Sequence, residues 1–557
     1  MTLLARRNLR ELLTVVPAAL ALVFAACSPP GPDPRATATA RLFAEWNSLE
    51  SPGCAVGVIQ NDAFLLRRYY GLADLTRHVP IGPDTVFSLA SLSKQFTATA
   101  IGLLVVREKI SLDDDVRKYI PELPEYGEPV LIRDLIYHTS GIRDYISMSE
   151  DLSDFGRLDR PHTQGDFLSL LARQKALNFP PGTQFSYNNS NYFLLGIVVK
   201  RVTGTSLREF AEKEIFQPLG MKNTRFEDDY REVVHNRAIG YEPSGNNGFS
   251  VVRSYFDQVG DGGVQTTLND FALWDREFYR SVLGGQDLHR LLMTTGKLRD
   301  GTKLNYTFGL YIDPSPVGPR IYHGGNDAGF RTRLLRYPAQ HFSIVCLCNL
   351  SSVSTNPLAE RIADIYLGGS SAERVTEVPV PAQKVRELEG FYRDPSTSGI
   401  WSFQAKGDRL IGNLVGVPGE RRLMPTGPED FSTAEGSFKA RFDVAHQTVQ
   451  ISEYGAPATV FSRVKLAAPA NLGDYAGAYF SSELDTTYEF AVRKGQLTVL
   501  SPRAAAAPLS PTVADSFTGF GNYFSFERSK EGAIVGLRLG ENTGRVRNLE
   551  FTKIQNK

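Results

Sequence analysis

The sequence predicts an α+β domain followed by two small antiparallel β-barrels. Strand-like segments lie near residues 54–69 and again near residues 308–349, and the sequence between them is helical and rich in loops. Strands at both ends of a helical stretch indicate one sheet that closes across a long insertion. The C-terminal third has alternating apolar residues and glycine turns, and it is duplicated. A chain of 557 residues is also too long for one ordinary core.

The first strands are predicted to form a hairpin. Residues 54–60 and 63–69 are rich in apolar residues and flank Asn61-Asp62, a pair typical of a two-residue turn. Residues 96–106 form an apolar run long enough for a buried helix. Strands return late in the domain, at residues 308–312, 330–337 and 342–349.

The C-terminal part is interpreted as a linker and two barrels. Residues 368–384 form the linker, since glycine and serine open the segment and proline closes it. The segments that follow repeat at an offset of about 87 residues. The repeated pairs are Leu388-Glu389-Gly390-Phe391-Tyr392 with Tyr475-Ala476-Gly477-Ala478-Tyr479, Trp401-Ser402-Phe403 with Tyr488-Glu489-Phe490, and Asp430-Phe431 with Asp515-Ser516-Phe517. A maintained offset predicts two copies of one barrel, at residues 385–466 and 470–557.

The N-terminus is predicted to be an export signal. Arginines precede an apolar run over residues 12–26 that is too short to remain as a transmembrane helix. Residues 24–27, Phe-Ala-Ala-Cys, resemble a bacterial lipoprotein cleavage box, which makes Cys27 the lipidated first residue of the mature chain and residues 28–40 a Pro-rich spacer. The protein is then lipid-anchored on the periplasmic face of the cell envelope. The alternative is ordinary secretion, with a cut nearby and a periplasmic or secreted product.

The composition of the chain indicates which classes of binding partner to expect. The chain has 61 basic and 61 acidic residues and no basic tract beyond the extreme N-terminus, which argues against nucleic acid. Membrane contact is expected only through the lipid anchor. Cys54, Cys346 and Cys348 lie in apolar, strand-like runs and are interpreted as small buried side chains rather than as disulfides or metal ligands. No metal and no cofactor is predicted.

Ser91 and Lys94 are the first candidate catalytic pair. Three residues apart in the first turn of a helix, they lie on one face and can touch. The unpaired N–H groups of that turn disfavour a cation, so Lys94 is expected to approach the neutral amine that a general base must be. The spacing alone is not decisive, because Ser462 and Lys465 have it too, in a segment interpreted as a strand.

Two further segments supply partners for Ser91. Tyr187 and Asn189 precede the apolar run at residues 193–199. A phenol near a cation can have its pKa lowered enough to share a proton with a serine, and an amide can orient substrate. Alone, the segment would be interpreted as a loop aromatic that caps the core.

The last segment is His323-Gly324-Gly325, which leads into a strand. Paired glycines allow close approach of substrate, and the backbone N–H of Asn326 together with that of Ser91 could form an oxyanion hole. The alternative is a glycine turn with a surface histidine.

Taken in this order, Ser91-x-x-Lys94, Tyr187-x-Asn189 and His323-Gly324-Gly325 resemble the signature elements of the penicillin-recognising serine hydrolases, which include class C β-lactamases, D,D-peptidases, D-aminopeptidases and related esterases. Supporting segments are residues 70–74, 112–114, 134–142 and 260–263. The resemblance implies a β-lactamase/transpeptidase-like domain at residues 41–367, with an antiparallel sheet flanked by helices plus a helical subdomain. It also implies an acyl-enzyme on Ser91, with Lys94 and Tyr187 sharing the proton transfers.

One departure from the family bears on substrate. β-Lactamases and carboxypeptidases of this superfamily usually carry Lys-Thr-Gly where this chain has His323-Gly324-Gly325, and that lysine is thought to help bind a substrate carboxylate. A neutral imidazole supplies no fixed charge. Substrates with a terminal carboxylate therefore rank lower, unless Arg331 or Arg333 faces the cleft.

The layout is similar to that of D-aminopeptidases, with two lipocalin-like barrels after the hydrolase domain. In that layout a barrel loop reaches the catalytic cleft, and residues 501–515 are the candidate here; simple docking of the barrels is the alternative. The expected function is hydrolysis of amide, peptide or ester bonds in a small-molecule or peptide substrate, D-aminopeptidase- or esterase-like. The alternatives are a β-lactamase or D,D-carboxypeptidase and, in another class, a non-catalytic binding protein of the cell envelope.

Overall fold

The computed structural model describes residues 33–555 except 153–161, 246–247, 255–256, 369–374, 418, 435, 454–455, 468, 470 and 501–505. The predicted signal peptide and Cys27 lie outside the described residues. The end of the predicted spacer is not a spacer, because residues from Pro34 onward form a helix. Asp33 caps that helix by accepting a hydrogen bond from the backbone N–H of Arg35 at 2.9 Å.

The described α-helices lie in the first domain, apart from the last one, which directly precedes the first barrel. They are α1 (Pro34–Leu42), α2 (Lys94–Val106), α3 (Ile132–Ile136), α4 (Gln164–Ala172), α5 (Asn189–Thr203), α6 (Leu207–Ala211), α7 (Gln217–Leu219), α8 (Leu268–Arg280), α9 (Gly285–Leu292), α10 (Thr355–Leu367) and α11 (Ala382–Glu387). The strands of the first domain are β1 (Cys54–Gln60), β2 (Ala63–Tyr70), β3 (Leu72–Asp74), β4 (Val79–Pro80), β5 (Phe87–Ser88), β6 (Arg225–Phe226), β7 (Gly240–Ser244), β8 (Gly248–Val252), β9 (Val264–Thr266), β10 (Tyr311–Asp313), β11 (Arg320–Asp327), β12 (Phe330–Tyr337) and β13 (Phe342–Cys348).

The main sheet closes across the helical insertion, as predicted. Its strand order is β10-β11-β12-β13-β1-β2, and every neighbouring pair is antiparallel. The early hairpin turns at Asn61 and Asp62, whose φ angles of 50° and 66° suit the tight turns that match strand twist. Helix α8 packs on one face of the sheet and α10 on the other. The α+β prediction is therefore confirmed.

A disulfide joins β1 and β13, which are the first and last strands of this sheet along the chain and neighbours within it. Cys54 of β1 lies opposite Cys348 of β13, and their sulfur atoms are bonded. The prediction of unpaired thiols is wrong for these two residues and right for Cys346, which is buried and free. Sequence separation concealed the pair, since its members are 294 positions apart and only the strand register brings them together.

The helical side of the domain is organised around α2. This helix is buried over most of its length and packs against α5, α6 and α9. A 3₁₀ turn, Ala90–Ser93, leads directly into it. Ala90 has a left-handed φ of 50°, an uncommon conformation for alanine, and it sits immediately before Ser91.

The C-terminal region holds two antiparallel barrels, also as predicted. The first, closed barrel consists of β14 (Gly390–Arg393), β15 (Ile400–Lys406), β16 (Arg409–Leu414), β17 (Arg421–Pro425), β18 (Asp430–Ser432), β19 (Phe438–Asp443), β20 (Thr448–Glu453) and β21 (Thr459–Val464). The second, nearly closed barrel consists of β22 (Gly477–Ser481), β23 (Thr486–Arg493), β24 (Gln496–Leu500), β25 (Ala507–Pro508), β26 (Ser510–Pro511), β27 (Ser516–Gly519), β28 (Asn522–Arg528), β29 (Ile534–Glu541) and β30 (Leu549–Lys553).

The second barrel is joined to the first domain more closely than the first barrel is. Its core belongs to the same cluster of buried apolar side chains as the helical side of the first domain, whereas the first barrel has a core of its own. A buried ion pair crosses the junction, with Arg143 and Glu483 at 2.6 Å and both side chains 2% exposed. Among the described residues, no helix is long and apolar enough to cross a bilayer.

Candidate active site

The first two predicted residues meet as expected. Ser91 stands in the 3₁₀ turn and Lys94 is the first residue of α2. The Nζ atom of Lys94 lies 3.1 Å from Ser91 Oγ, and it also donates to Asn189 Oδ1 at 2.9 Å and to the backbone oxygen of Asp261 at 2.8 Å. The amine is therefore held within proton-transfer reach of the hydroxyl.

The electrostatics of Lys94 favour the neutral amine. The side chain is fully buried, and burial lowers its pKa from 10.5 to about 8. The charges of Asp261 and Asp144 act against this shift, and the charge of Arg545 acts with it. The direction agrees with the sequence analysis, but the dominant cause is burial rather than the helix terminus.

Tyr187 lies beside Ser91 and Lys94, but its phenol pKa is raised and not lowered as expected. Its ring centroid is 4.9 Å from Lys94 Nζ, and its buried hydroxyl has no hydrogen-bond partner among the described residues. Burial raises its pKa above the usual value, and its interaction with Ser91 offsets only part of that rise. The expectation of a lowered phenol pKa is wrong, because burial keeps the Tyr187 phenol protonated at neutral pH.

Asn189 contacts the base. Asn188 caps α5 by accepting a hydrogen bond from the Ser190 backbone N–H at 2.7 Å, which places Asn189 in the first turn of the helix. The Asn189 amide oxygen faces Lys94, and its backbone N–H donates to Asp144 Oδ2 at 2.6 Å. Asn189 therefore helps to hold Lys94 in place, and its predicted role in orienting substrate stays a prediction.

His323 is buried in the site rather than on the surface. It is only 4% exposed, and burial lowers its pKa to about 3, so the imidazole is neutral. Its Nδ1–H donates to the Gly324 carbonyl oxygen at 2.6 Å, and Nε2 lies 3.5 Å from the Tyr306 hydroxyl. The ring centroid is 5.9 Å from that of Tyr187.

The two glycines after His323 have different neighbours. Gly325 packs against the chain that leads into Ser91, and a methyl group added there would overlap the Leu89 carbonyl oxygen and the Thr332 hydroxyl. A methyl group at Gly324 would lie 3.4 Å from its nearest neighbour, an ordinary contact. The predicted close approach therefore exists at Gly325, but it is made by the protein's own backbone.

Strand register decides which arginines face the cleft. Gly324 pairs with Arg333, and Asn326 pairs with Arg331, so both arginines share the sheet face opposite to His323. Arg333 lies over the Tyr322 ring at 4.4 Å, away from Ser91. The suggestion that these arginines supply the missing cation is wrong.

The backbone of Asn326 lies on the part of β11 beyond its pairing with β10, and its role as an oxyanion donor stays a prediction.

The sequence analysis assigned no role to two residues behind the site. The His138 ring centroid lies 4.5 Å from that of Tyr187, and its Nδ1 accepts the Asn188 backbone N–H at 3.2 Å. Asp261 accepts a hydrogen bond from the Tyr145 hydroxyl at 2.9 Å, and burial raises its pKa to about 6. Both lie in segments that resembled the family, and that likeness was the available signal.

A third residue that the sequence analysis missed comes from the second barrel. Arg545, in the turn between β29 and β30, places its guanidinium carbon 5.8 Å from the centroid of the Tyr187 ring. Residues 506–515, part of the predicted cleft loop, instead contribute β25 and β26 at the edges of the barrel sheet; residues 501–505 lie outside the described residues. No local sequence pattern marks Arg545.

The arrangement suits covalent catalysis at Ser91. An amine whose pKa is lowered to about 8 lies next to the nucleophilic hydroxyl, and a protonated phenol lies beside both. No group of three or more His, Cys, Asp or Glu side chains is placed to hold a metal ion in the part of the chain that the structure describes.

Comparisons with known proteins agree with this geometry. The model of the Beta-lactamase family matches residues 39–367. D-aminopeptidase from Brucella melitensis is 28% identical over 402 residues, which cover 71% of this chain and 74% of the relative. D-aminopeptidase from Brucella anthropi is 30% identical over 329 residues, 58% of this chain and 61% of the relative.

A solved structure shares the fold. The octameric penicillin-binding protein homologue from Pyrococcus abyssi superposes with a TM-score of 0.54 at 21% identity. The match covers 84% of this chain and 98% of that one. The likeness therefore extends beyond the first domain, although at this identity it concerns the fold alone.

Proposed function

The chain belongs to the beta-lactamase family and is a serine hydrolase, and from that premise we propose that it cleaves amide, peptide or ester bonds through an acyl-enzyme on Ser91. The observation that carries the proposal is the buried Lys94 amine, 3.1 Å from Ser91 Oγ with its pKa lowered to about 8. At this pKa about a tenth of the amine is already deprotonated at pH 7 and most of it above pH 8, so the free base that proton abstraction requires is available.

Acylation begins when Lys94 takes the Ser91 proton and Oγ forms a bond to the substrate carbonyl carbon. The carbonyl oxygen becomes an oxyanion, which the backbone N–H groups of Ser91 and Asn326 are proposed to stabilise. Collapse breaks the scissile bond and leaves the acyl group as an ester on Ser91. Tyr187 protonates the departing nitrogen or oxygen and recovers its proton from the Lys94 ammonium. Water then hydrolyses the ester, and the Ser91 hydroxyl is restored.

The substrate class is proposed to be D-aminopeptidase- or esterase-like. The curated relatives named above are D-aminopeptidases, and the two barrels after the hydrolase domain fit that layout. The neutral imidazole of His323 stands where β-lactamases and carboxypeptidases of the superfamily carry a lysine. β-Lactam or stem-peptide hydrolysis is therefore the second candidate, and binding without turnover is the third.

Export to the cell envelope is part of the same proposal. The sequence of residues 1–27 favours a lipoprotein signal, with Cys27 as the anchored residue. The disulfide between Cys54 and Cys348 supports an oxidising compartment, because cytosolic thiols are normally kept reduced. Processing with radiolabelled palmitate tests this, since Cys27→Ser is expected to abolish incorporation.

Labelling with a fluorescent fluorophosphonate tests the nucleophile. The wild-type protein is expected to be labelled, and Ser91→Ala is expected to lose the label. Ser462→Ala is the matched control, because Ser462 has the same spacing to a lysine but lies on β21 of the first barrel. Absence of labelling in the wild type would favour the non-catalytic alternative.

A substrate panel then separates the enzymatic candidates. A D-alanyl anilide and a short-chain ester are expected to be turned over faster than a chromogenic cephalosporin. The reverse order would favour the β-lactamase alternative.

A further inference from the structure

The turn between β29 and β30 crosses from the second barrel to the active site and is held there by its backbone. The carbonyl oxygen of Arg545 accepts hydrogen bonds from the Asn178 side-chain amide at 2.8 Å and from the Asp144 backbone N–H at 3.2 Å. Two residues later, the backbone N–H of Arg547 donates to Asn178 Oδ1 at 2.8 Å. Asn178 and Asp144 belong to the hydrolase domain, so the turn is fixed against the walls of the cleft.

Side chains on both sides of Arg545 add to this clamp. Val546 is fully buried. The Arg547 guanidinium donates to Gln184 Oε1 at 3.0 Å and lies 5.2 Å from the centroid of the Phe179 ring. Beneath the turn, Arg143 donates to the Arg547 carbonyl oxygen at 3.1 Å and pairs with Glu483. Because these contacts fix the backbone of the turn, the Arg545 side chain extends from a fixed position next to the active site.

The Arg545 side chain itself is not used in this docking. It is half-buried beside the Tyr187 ring, and its guanidinium has no carboxylate partner and no hydrogen-bond acceptor among the described residues. The positive charge of Arg545 acts on the active site, because it contributes to lowering the pKa values of Lys94 and His138. A guanidinium near buried catalytic groups without a counterion is a natural receptor for an anion.

We propose that Arg545 binds a substrate carboxylate on the leaving-group side of the scissile bond. Arg545 is assigned to the leaving-group side because it lies over the ring of Tyr187. In the proposed mechanism, Tyr187 protonates the leaving atom. Within the proposed D-aminopeptidase-like class, the preferred substrate is then a short peptide with a free D-amino terminus, in which the residue after the scissile bond ends in a free carboxylate. The low rank that His323 gave to such carboxylates is revised for this class of substrate. The inference rests on the proposed function, and it places the cation that His323 does not supply in a different domain.

The experiment compares two substrates that differ only in charge, D-alanyl-D-alanine and D-alanyl-D-alaninamide. The wild type is expected to prefer the free carboxylate by at least about tenfold in kcat/KM, a typical effect of a charge-assisted hydrogen bond. Measured on the high-pH plateau, where Lys94 is deprotonated, Arg545→Gln is expected to lower kcat/KM for the carboxylate by about 10- to 100-fold and for the amide by less than about threefold. Arg545→Lys should keep part of the preference, because it retains the charge but loses the planar fork.

Arg538→Gln is the matched control. It removes the same charge from strand β29, but Arg538 pairs with Glu527 and Glu550 on the barrel. Both substrates are expected to be unaffected. If neither peptide is turned over, protection of Ser91 from fluorophosphonate labelling by each peptide gives the same comparison, and failure of both to protect overturns the proposal.

Labelling also separates this inference from the function it rests on. The fluorophosphonate carries no carboxylate, so the labelling rate of Arg545→Gln, read on the high-pH plateau of each protein's own pH profile where Lys94 is deprotonated, is expected to lie within about threefold of wild type. Normal labelling with an unchanged preference for the carboxylate, or an equal loss on both peptides, would overturn the role of Arg545 alone. Absence of labelling in the wild type would remove the proposed function itself.

Discussion

Gly325→Ala should inactivate the protein without unfolding it. The added methyl group would overlap the Leu89 carbonyl oxygen and the Thr332 hydroxyl, and it would lie 3.0 Å from Ala90 Cβ. The Thr332 hydroxyl donates a hydrogen bond to the Leu89 carbonyl oxygen at 2.9 Å, and this bond connects β12 to the segment before Ser91. The added methyl group would overlap both atoms of this hydrogen bond. Two of the three contacts are with the backbone or the Cβ of Leu89 and Ala90, which cannot rotate away.

The magnitude follows from the displacement that relieves this overlap. β11 and the turn bearing Ser91 must separate by about 1 Å, and a misplacement of that size costs about 100-fold in rate. Overpacking of this kind lowers the free energy of unfolding by about 1–3 kcal/mol. The loss of activity should therefore greatly exceed the loss of folded protein.

The assay is the second-order rate constant for fluorophosphonate labelling of Ser91, measured with a thermal unfolding curve of the same preparation. Gly324→Ala is the control, because its methyl group would meet nothing closer than 3.4 Å. It should label within about threefold of wild type. Labelling of Gly325→Ala near the wild-type rate, or equal damage from both substitutions, would refute the packing argument.

Three further outcomes are expected. The labelling rate of Ser91 should rise with pH to a plateau, with a midpoint near pH 8 and a tenfold fall per pH unit below it, because only the deprotonated form of Lys94 accepts the proton. Glu483→Gln should lower the free energy of unfolding by about 3 kcal/mol in denaturant titration, because it leaves the Arg143 charge buried without its counterion. Thiol titration in denaturant, on protein that lacks residues 1–27, should count one free thiol before reduction and three after it, because Cys54 and Cys348 are bonded.

Each of these has a contradicting result. A labelling rate that does not change between pH 6 and pH 9 would exclude Lys94 as the titrating base. Glu527→Gln, which breaks an exposed pair with Arg538, should change the unfolding free energy by less than about 1 kcal/mol, and an effect equal to that of Glu483→Gln would show that burial is not the cause. Three free thiols before reduction would show that the strands are not cross-linked.

Local sequence determined the elements that depend on local physics. The Asn61-Asp62 turn, the helix after Ser91 and the repeated strand pattern of the barrels were predictable, because turn chemistry and side-chain periodicity act between near neighbours. The spacing of Ser91 and Lys94 was also sufficient to place them in contact. The resemblance of three separated motifs to one family then indicated that they meet.

Tertiary structure alone decided the chemistry of the groups that meet. Burial is the largest cause of the lowered pKa of Lys94, and burial also raises the pKa of Tyr187 against expectation, because desolvation disfavours whichever form is charged. The pairing of Cys54 with Cys348 and the arrival of Arg545 from another domain depend on contacts between residues hundreds of positions apart. Such contacts follow from strand register and domain docking, which no short segment of sequence encodes.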